Sequence, residues 1–369
     1  MRSLTLNSNG ILAPTKSQLH TGSPIKALRN PSLALRRIER VKSGEQLRIM
    51  VCRIAGGIGD VLMTLPTVKQ IRKQYNCKLD YVTDFDYLNG ALPKVLQGNP
   101  HIDRVFDYKN VTEEEKEMYD AVVELTCPCT VHEQPHAEPI NRIDLFARHA
   151  GVRLEDTSID YYITKEELIW AQEWIAARGF TSRNKLVLVQ AHSSTSRRDL
   201  PHLKLQRAIM DILKLDPSYK VIIVTHSTDS VKNLWNLYGT TELRDFDVRH
   251  IAAIMYFCEV VLCQDSAILH MASALHKKTC TFFGCTDPRA RINYHPEAVA
   301  ICPGKHLFCW PGWYAPTCNN TMTCWKRIEE QLIVSVTQSL LQNKPLPVSE
   351  DLVYFGNSQI RNPSAGELL

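Results

Sequence analysis

Nowhere in this sequence do about 18 apolar residues follow one another, so no membrane-spanning helix is expected. The first residues are too polar for a secretory signal peptide, and no repeat of solenoid length recurs. The Gly-x-Gly-x-x-Gly dinucleotide fingerprint is missing, which argues against a dehydrogenase. No Cys-x-x-Cys knuckle is present. Acidic residues are scarce at the start of the chain. Before residue 47, only Glu39 and Glu45 oppose Arg2, Lys16, Lys26, Arg29, Arg36, Arg37, Arg40 and Lys42.

What is present is ordinary for a globular protein: 369 residues, 44% apolar and 22% charged, enough for two α/β domains. Twelve cysteines in a chain expected to be intracellular argue against a disulfide framework. Cys302, Cys309, Cys318 and Cys324 cluster at spacings of seven, nine and six. They are candidates for a structural zinc, with reduced buried thiols as the alternative. Cys127-Pro128-Cys129 is too tight for a metal pair and is expected to shape a loop facing the cleft, with His132 and His136 nearby.

The most informative stretch lies at 260–289. Val260-Val261-Leu262-Cys263 reads as a buried strand and Thr279 to Phe283 as another. Between them Asp265 or Ser266 caps an amphipathic helix carrying His270 and Ala274. A strand running straight into a helix start leaves backbone N–H groups pointing outward, where a phosphate binds well. An Asp-Ser pair at that mouth and a histidine one turn on suggest a sugar phosphate; a plain packing turn with a core histidine is the alternative. The same arrangement opens the chain's first domain. Leu47 to Ile54 is a β-rich run, Ala55-Gly56-Gly57-Ile58-Gly59-Asp60 a turn, and Val61, Leu65, Val68 and Ile71 mark one helical face.

Both stretches resemble glycosyltransferase family 9, the heptosyltransferase-like enzymes. Asp265-Ser266-Ala267-Ile268-Leu269-His270-Met271-Ala272-Ser273-Ala274-Leu275, followed by Gly284-Cys285-Thr286-Asp287-Pro288, resembles the family's donor-site signature, with Ala267 where the family carries glycine. Gly57-Ile58-Gly59-Asp60 with Pro66 resembles its amino-terminal signature. Asn99-Pro100-His101-Ile102-Asp103-Arg104-Val105, Tyr119 to Leu125 and Asn141 to Phe146 follow in the family's order. His192 to Pro201 resembles a phosphate loop, in which Arg198 takes the place of lysine and Leu200 that of tryptophan. Arginine keeps the charge and adds a bidentate fork; a solvated surface pair is the bland reading of Arg197-Arg198.

The resemblance, covering roughly residues 47 to 330, implies an α/β GT-B fold, two Rossmann-like parallel-sheet domains facing each other across a cleft. Residues 47–160 are expected to form the acceptor-side domain and 161–344 the nucleotide-sugar domain, with a Cys-rich segment at 302–324. The last helix, near Trp325 to Gln342, and a C-terminal extension at 345–369 are expected to turn back toward the first domain. The implied reaction is inverting sugar transfer from a nucleotide diphosphate to an acceptor hydroxyl. Asp60 would be the general base, its other role being a helix cap. Gly57 and Gly59 would lie on the acceptor side. Ser193, Ser194, Arg198, Asp265, Ser266, Ala267 and His270 would bind the donor, and Phe246 would flank its base. No cofactor or catalytic metal is expected, because the donor half shows no convincing Asp-x-Asp metal site. The family's pattern implies an ADP-heptose-like donor, a glycolipid acceptor of lipopolysaccharide-core type with peripheral membrane contact, and a cytoplasmic enzyme. A nucleic acid with a hydroxylated base is the alternative acceptor, and a non-catalytic nucleotide-sugar-binding homologue the alternative role. The basic arm at 1–46 is expected to be a flexible or docking element, or a contact for a polyanion.

Overall fold

The computed structural model describes residues 46–126, 139–226, 237–307, 310–311 and 323–354. The basic arm up to residue 45, the Cys127–His136 loop, Cys309, Cys318 and residues 355–369 lie outside the described residues.

The first sheet is wholly parallel. β1 (Leu47–Cys52) pairs with β2 (Cys77–Thr83) and β4 (Ala121–Glu124), and β2 pairs with β3 (Arg104–Asp107), in the order β3-β2-β1-β4. Strands buried on both faces read as continuous apolar runs, as Ile49 to Cys52 does. The connections are α1 (Ile58–Gln74), α2 (Ala91–Leu96) and α3 (Glu113–Glu117), and α4 (Arg142–Ala150) then packs on α1. Asn141 caps α4 by accepting from the Ile143 N–H at 2.9 Å.

After α5 (Lys165–Ala176) comes the second sheet: β5 (Lys185–Gln190), α6 (His202–Leu215), β6 (Tyr219–Thr225), β7 (Thr240–Arg244) and α7 (Val248–Tyr256). It continues through β8 (Val260–Gln264), α8 (Ala267–Ala274), β9 (Lys278–Phe282), α9 (Arg289–Ile292), β10 (Ala298–Ile301), α10 (Thr323–Lys326), α11 (Glu330–Gln342) and β11 (Leu352–Tyr354). The order is β11-β10-β9-β8-β5-β6-β7, parallel except for β11 against β10. α6 buries Leu205, Ala208, Ile209 and Ile212, one face at helical spacing, in a core shared with Ile333, Val336 and Leu340 of α11.

Among the described residues, the last helix and the start of the C-terminal extension do not turn back to the first domain. α11 packs on α6 and on the second sheet, and β11 extends that same sheet instead of returning to the first domain. Apolar Ile333, Val336 and Leu340 recur at the spacing that faces α6, so this helix finds its cover within its own domain.

Strand order also locates the ligand crevices. In the first sheet the chain moves from β1 outward to β3, then returns to place β4 on the other side of β1. In the second it moves from β5 to β7, then places β8 on the other side of β5. Each reversal parts the loops leaving adjacent strands, which is where open parallel sheets bind ligands. In this chain those loops are the Gly-rich turn after β1, the 192–201 loop after β5 and the Asp265-Ser266 pair after β8.

Candidate active site at the domain cleft

On the first domain, the loops after β1 and β4 are tied together. Arg53 Nη1 donates to the Leu125 carbonyl at 2.9 Å, and the Ile54 N–H donates to Thr126 Oγ1 at 3.0 Å. Asp60 sits in the first turn of α1, where the Gly57 N–H donates to its Oδ2 at 3.2 Å. Arg53 Nη2 stands 3.4 Å from the same oxygen, and Arg142 at the start of α4 donates to Oδ1. Burial alone would raise the pKa of this carboxyl. The guanidiniums of Arg142, Arg53 and Arg291 outweigh burial and bring it down to about 2. Gly56, at φ 110°, closes the turn beneath this pair: a Cβ there would lie 2.4 Å from Arg53 and 2.5 Å from Asp60.

On the second domain, the 192–201 loop is braced internally. The Ser193 N–H donates to Asp199 Oδ1 at 2.7 Å, and Ser193 Oγ donates to the Thr195 carbonyl at 2.8 Å. Arg198 Nη2 donates to Ser194 Oγ at 2.7 Å, and its Nη1 lies 3.9 Å from Asp265 Oδ2. Asp265 is buried and also accepts from Thr286 Oγ1 at 2.8 Å, while Arg291 Nε stands 3.5 Å from its other oxygen. Ser266 is the N-cap of α8 by position but not by side chain, since its hydroxyl donates to Gln190 across the β5–β8 crevice. Those N–H groups are therefore left without a side-chain cap.

The two helix starts meet. α1 packs against α8 across the domain boundary. His270 lies under Gly59 so closely that a Cβ on Gly59 would come within 2.7 Å of its ring. Its Nδ1 shares a hydrogen bond of 2.9 Å with His295 Nε2. Burial, with His295 and Arg291 beside it, holds its pKa well below the usual histidine range, so the ring is neutral. Two flanking clasps join the domains: Tyr294 Oη donates to Asp144 at 2.8 Å, and Lys94 pairs with Asp247 at 3.2 Å.

The remaining expected residues are placed as follows. Ala267 is the first residue of α8, with its Cα 3.7 Å from where a Gly59 Cβ would stand. Leu200 is fully buried in the second core, and its N–H donates to Gln264 Oε1 at 3.0 Å. Phe246 packs with Trp170, Trp174 and His250, at ring-centroid distances of 5.4, 6.1 and 5.7 Å. Asp245-Phe246-Asp247 spells Asp-x-Asp, but Asp247 is spent capping α7. Of the four clustered cysteines, Cys302 is buried and Cys324 half-buried, and the other two fall outside the described residues. Among the described residues no group of three His, Cys, Asp or Glu side chains could hold a metal. Nor is any helix among them long and apolar enough to cross a membrane.

Sequence reading missed Arg53, Arg142, Arg291, Thr286 and His295. Arg142 and Arg291 stand inside recognised stretches or next to them, yet nothing local marks them, because each finds its carboxylate 26 or more positions away. Arg53 was legible only as the residue after β1, ahead of the glycines.

Residues 141–309 match the model of glycosyltransferase family 9 (heptosyltransferase). Comparison with curated protein sequences gives no match. Among solved structures, a family 9 glycosyl transferase from Veillonella parvula is similar at 18% identity and a TM-score of 0.61, over 81% of this chain and 98% of that one. The ADP-heptose lipopolysaccharide heptosyltransferase II of E. coli is similar at 11% identity and 0.56, over 80% and 99%. The E. coli heptosyltransferase WaaC, solved with ADP, is similar at 16% identity and 0.51, over 70% and 94%. At such identities these likenesses establish the GT-B fold, and the family match runs from the start of α4 to just past β10. Residues 141–309 thus match glycosyltransferase family 9, and the chain is GT-B in fold.

Proposed function

We propose that this chain is an inverting glycosyltransferase that moves a heptose-like sugar from a nucleoside-diphosphate donor to an acceptor hydroxyl. The observation that carries the reading is the meeting of two helix starts from opposite domains, Asp60 on one and the uncapped N–H groups above Asp265 on the other. In this reading the acceptor hydroxyl gives its proton to Asp60 as its oxygen attacks the anomeric carbon. The bond from that carbon to the phosphate oxygen breaks, and the leaving diphosphate is met by Arg198, Ser194 and the start of α8. Preorganised cations and N–H groups aimed at that developing charge lower the barrier without a divalent metal.

Asp60 in its resting arrangement is ionised at any working pH, which a base requires. Its arginine partners also weaken it as a proton acceptor, so turnover needs the Arg142 contact to loosen as the acceptor arrives. An ADP-linked donor is supported by the family match and by the ADP held by the WaaC neighbour. A lipopolysaccharide-core acceptor and a cytoplasmic enzyme touching the membrane surface follow from the same kinship. The test is mass spectrometry of the purified chain with a panel of nucleotide-sugars and lipopolysaccharide-core acceptors. Transfer from ADP-heptose is expected, and no transfer from any donor rejects the reading.

A further inference from the structure

The peptide unit that leads into Arg198 is held from both sides. Within the 192–201 loop, Ser196–Arg198 form one tight 3-10 turn, and the Arg198 N–H donates to the Thr195 carbonyl at 3.0 Å. The other end of the same planar unit is the Arg197 carbonyl. Trp325 Nε1 donates to it at 2.9 Å from 128 positions further along the chain, and Cys285 Sγ donates to it at 3.8 Å. With its N–H and its C=O both bonded, this rigid unit has one orientation, and the Arg198 side chain leaves from it.

Trp325 is itself firmly seated. It lies in α10, is 1% exposed and is among the largest fully buried side chains of the molecule. A buried indole N–H needs a partner, and here that partner is the loop. Gly284, just past β9, makes room for the ring: a Cβ there would lie 2.4 Å from Cε2, 2.6 Å from Cζ2 and 2.8 Å from Nε1. The end of α10 is tied down in turn, because Lys204 Nζ donates to the Lys326 and Ile328 carbonyls at 3.0 and 2.6 Å. Lys204 belongs to the first turn of α6, directly after the loop. α10 thus grips the loop at Arg197 and the helix that follows it at Lys204. The family pattern puts a tryptophan where Leu200 stands; Leu200 is core, and the indole that touches this loop arrives from α10 instead.

We propose that Trp325 is a positioning residue for the donor site: by holding the Arg197 carbonyl it fixes the direction from which Arg198 meets the diphosphate. The inference rests on the reading of Arg198 as the diphosphate cation. It makes α10 part of donor binding while Trp325 itself touches no atom of the ligand.

Calorimetry of the full chain with ADP tests it. Trp325→Phe keeps an aromatic ring against Gly284 and removes the indole N–H. ADP affinity should fall roughly three- to tenfold, the scale of one net hydrogen bond. In an Arg198→Ala background the same substitution should change ADP affinity by less than about twofold, because Trp325 acts through Arg198. A merely structural role would cost the same in both backgrounds. Lys204→Met frees the end of α10 without opening the core. It should give a smaller loss with the same dependence on Arg198, and it decides the matter if Trp325→Phe does not fold. Wild-type affinity in the folded variant, or equal losses with and without Arg198, overturns the inference and leaves the donor reading intact. A wild-type chain that does not bind ADP instead rejects the donor reading, and this role with it. Hydrogen exchange of the unliganded chain is an independent check: the Arg198 and Asp199 amides should exchange faster in Trp325→Phe while β6 stays as it was. Unchanged exchange at those two amides overturns the inference.

Discussion

The starts of α1 and α8 face each other, and they are satisfied in opposite ways. α1 brings its own anion: Asp60 accepts from the Gly57 N–H and is held by two arginines of its own domain. α8 has turned its cap residue away, with the Ser266 hydroxyl on Gln190, while Asp265 below is enclosed by Thr286, Arg291 and Arg198. Both ends have the same dipole and the same kind of backbone donors. One is filled from within the chain and the other carries no side-chain cap. A helix start alone therefore identifies nothing; how its N–H groups are already spent decides whether it holds structure or ligand.

The sharpest way to break this contrast is to remove the internal anion. Asp60→Asn should lower turnover by roughly 10²–10⁴-fold, the range typical of a lost general base, and leave ADP affinity near wild type. Near-normal turnover would take Asp60 out of the chemistry. On the open side, Arg198→Ala should weaken ADP binding by roughly 10- to 100-fold, and Arg198→Lys should recover part of that. Unchanged affinity by calorimetry would mean that the loop does not hold the diphosphate.

Smaller effects test the seam itself. Gly59→Ala drives a methyl into His270, and overpacking of this kind typically costs about 1–3 kcal/mol; an unchanged thermal midpoint would contradict the contact. Acid titrates the same seam. Asp60 falls from an ordinary 3.8 to about 2 on folding, so its ionisation contributes about 2 kcal/mol. That contribution is fully present above pH 4 and is lost as pH falls toward 2. The stability gap between wild type and Asp60→Asn should narrow over that window, and a gap independent of pH would place the Asp60 effect elsewhere. The mildest change is Ala267→Gly, which restores the family's residue at the first position of α8. Unfolding should register less than about 1 kcal/mol, and any larger shift should appear in ADP affinity instead.

The sequence carried the two helix starts plainly, because each is a contiguous strand-turn-helix with its polar residues adjacent. It carried the parallel sheets for the same reason, in apolar runs such as Val187 to Val189 and Val260 to Cys263. What surrounds Asp60 was not readable. Arg142 arrives from a helix 82 positions later, and Arg291 reaches the site from the other domain. Leu200 shows the limit of alignment by motif. Read as standing in for a tryptophan of the phosphate loop, it is a fully buried core residue here. Near the C-terminus, the periodicity of α11 was legible, but the partner of its apolar face was not.

β11 has a consequence of a different kind. Its three residues lie antiparallel against β10, pairing Leu352 with Ile301 and Tyr354 with Val299, and the Cys302 N–H donates to the Asp351 carbonyl at 2.7 Å. A parallel sheet of this size would otherwise end in a row of unpaired backbone groups on Ala298 to Ile301, buried apolar residues well suited to recruiting a strand from another molecule. This short strap covers that edge, and a chain cut just before residue 350 should keep its cleft while gaining a tendency to self-associate.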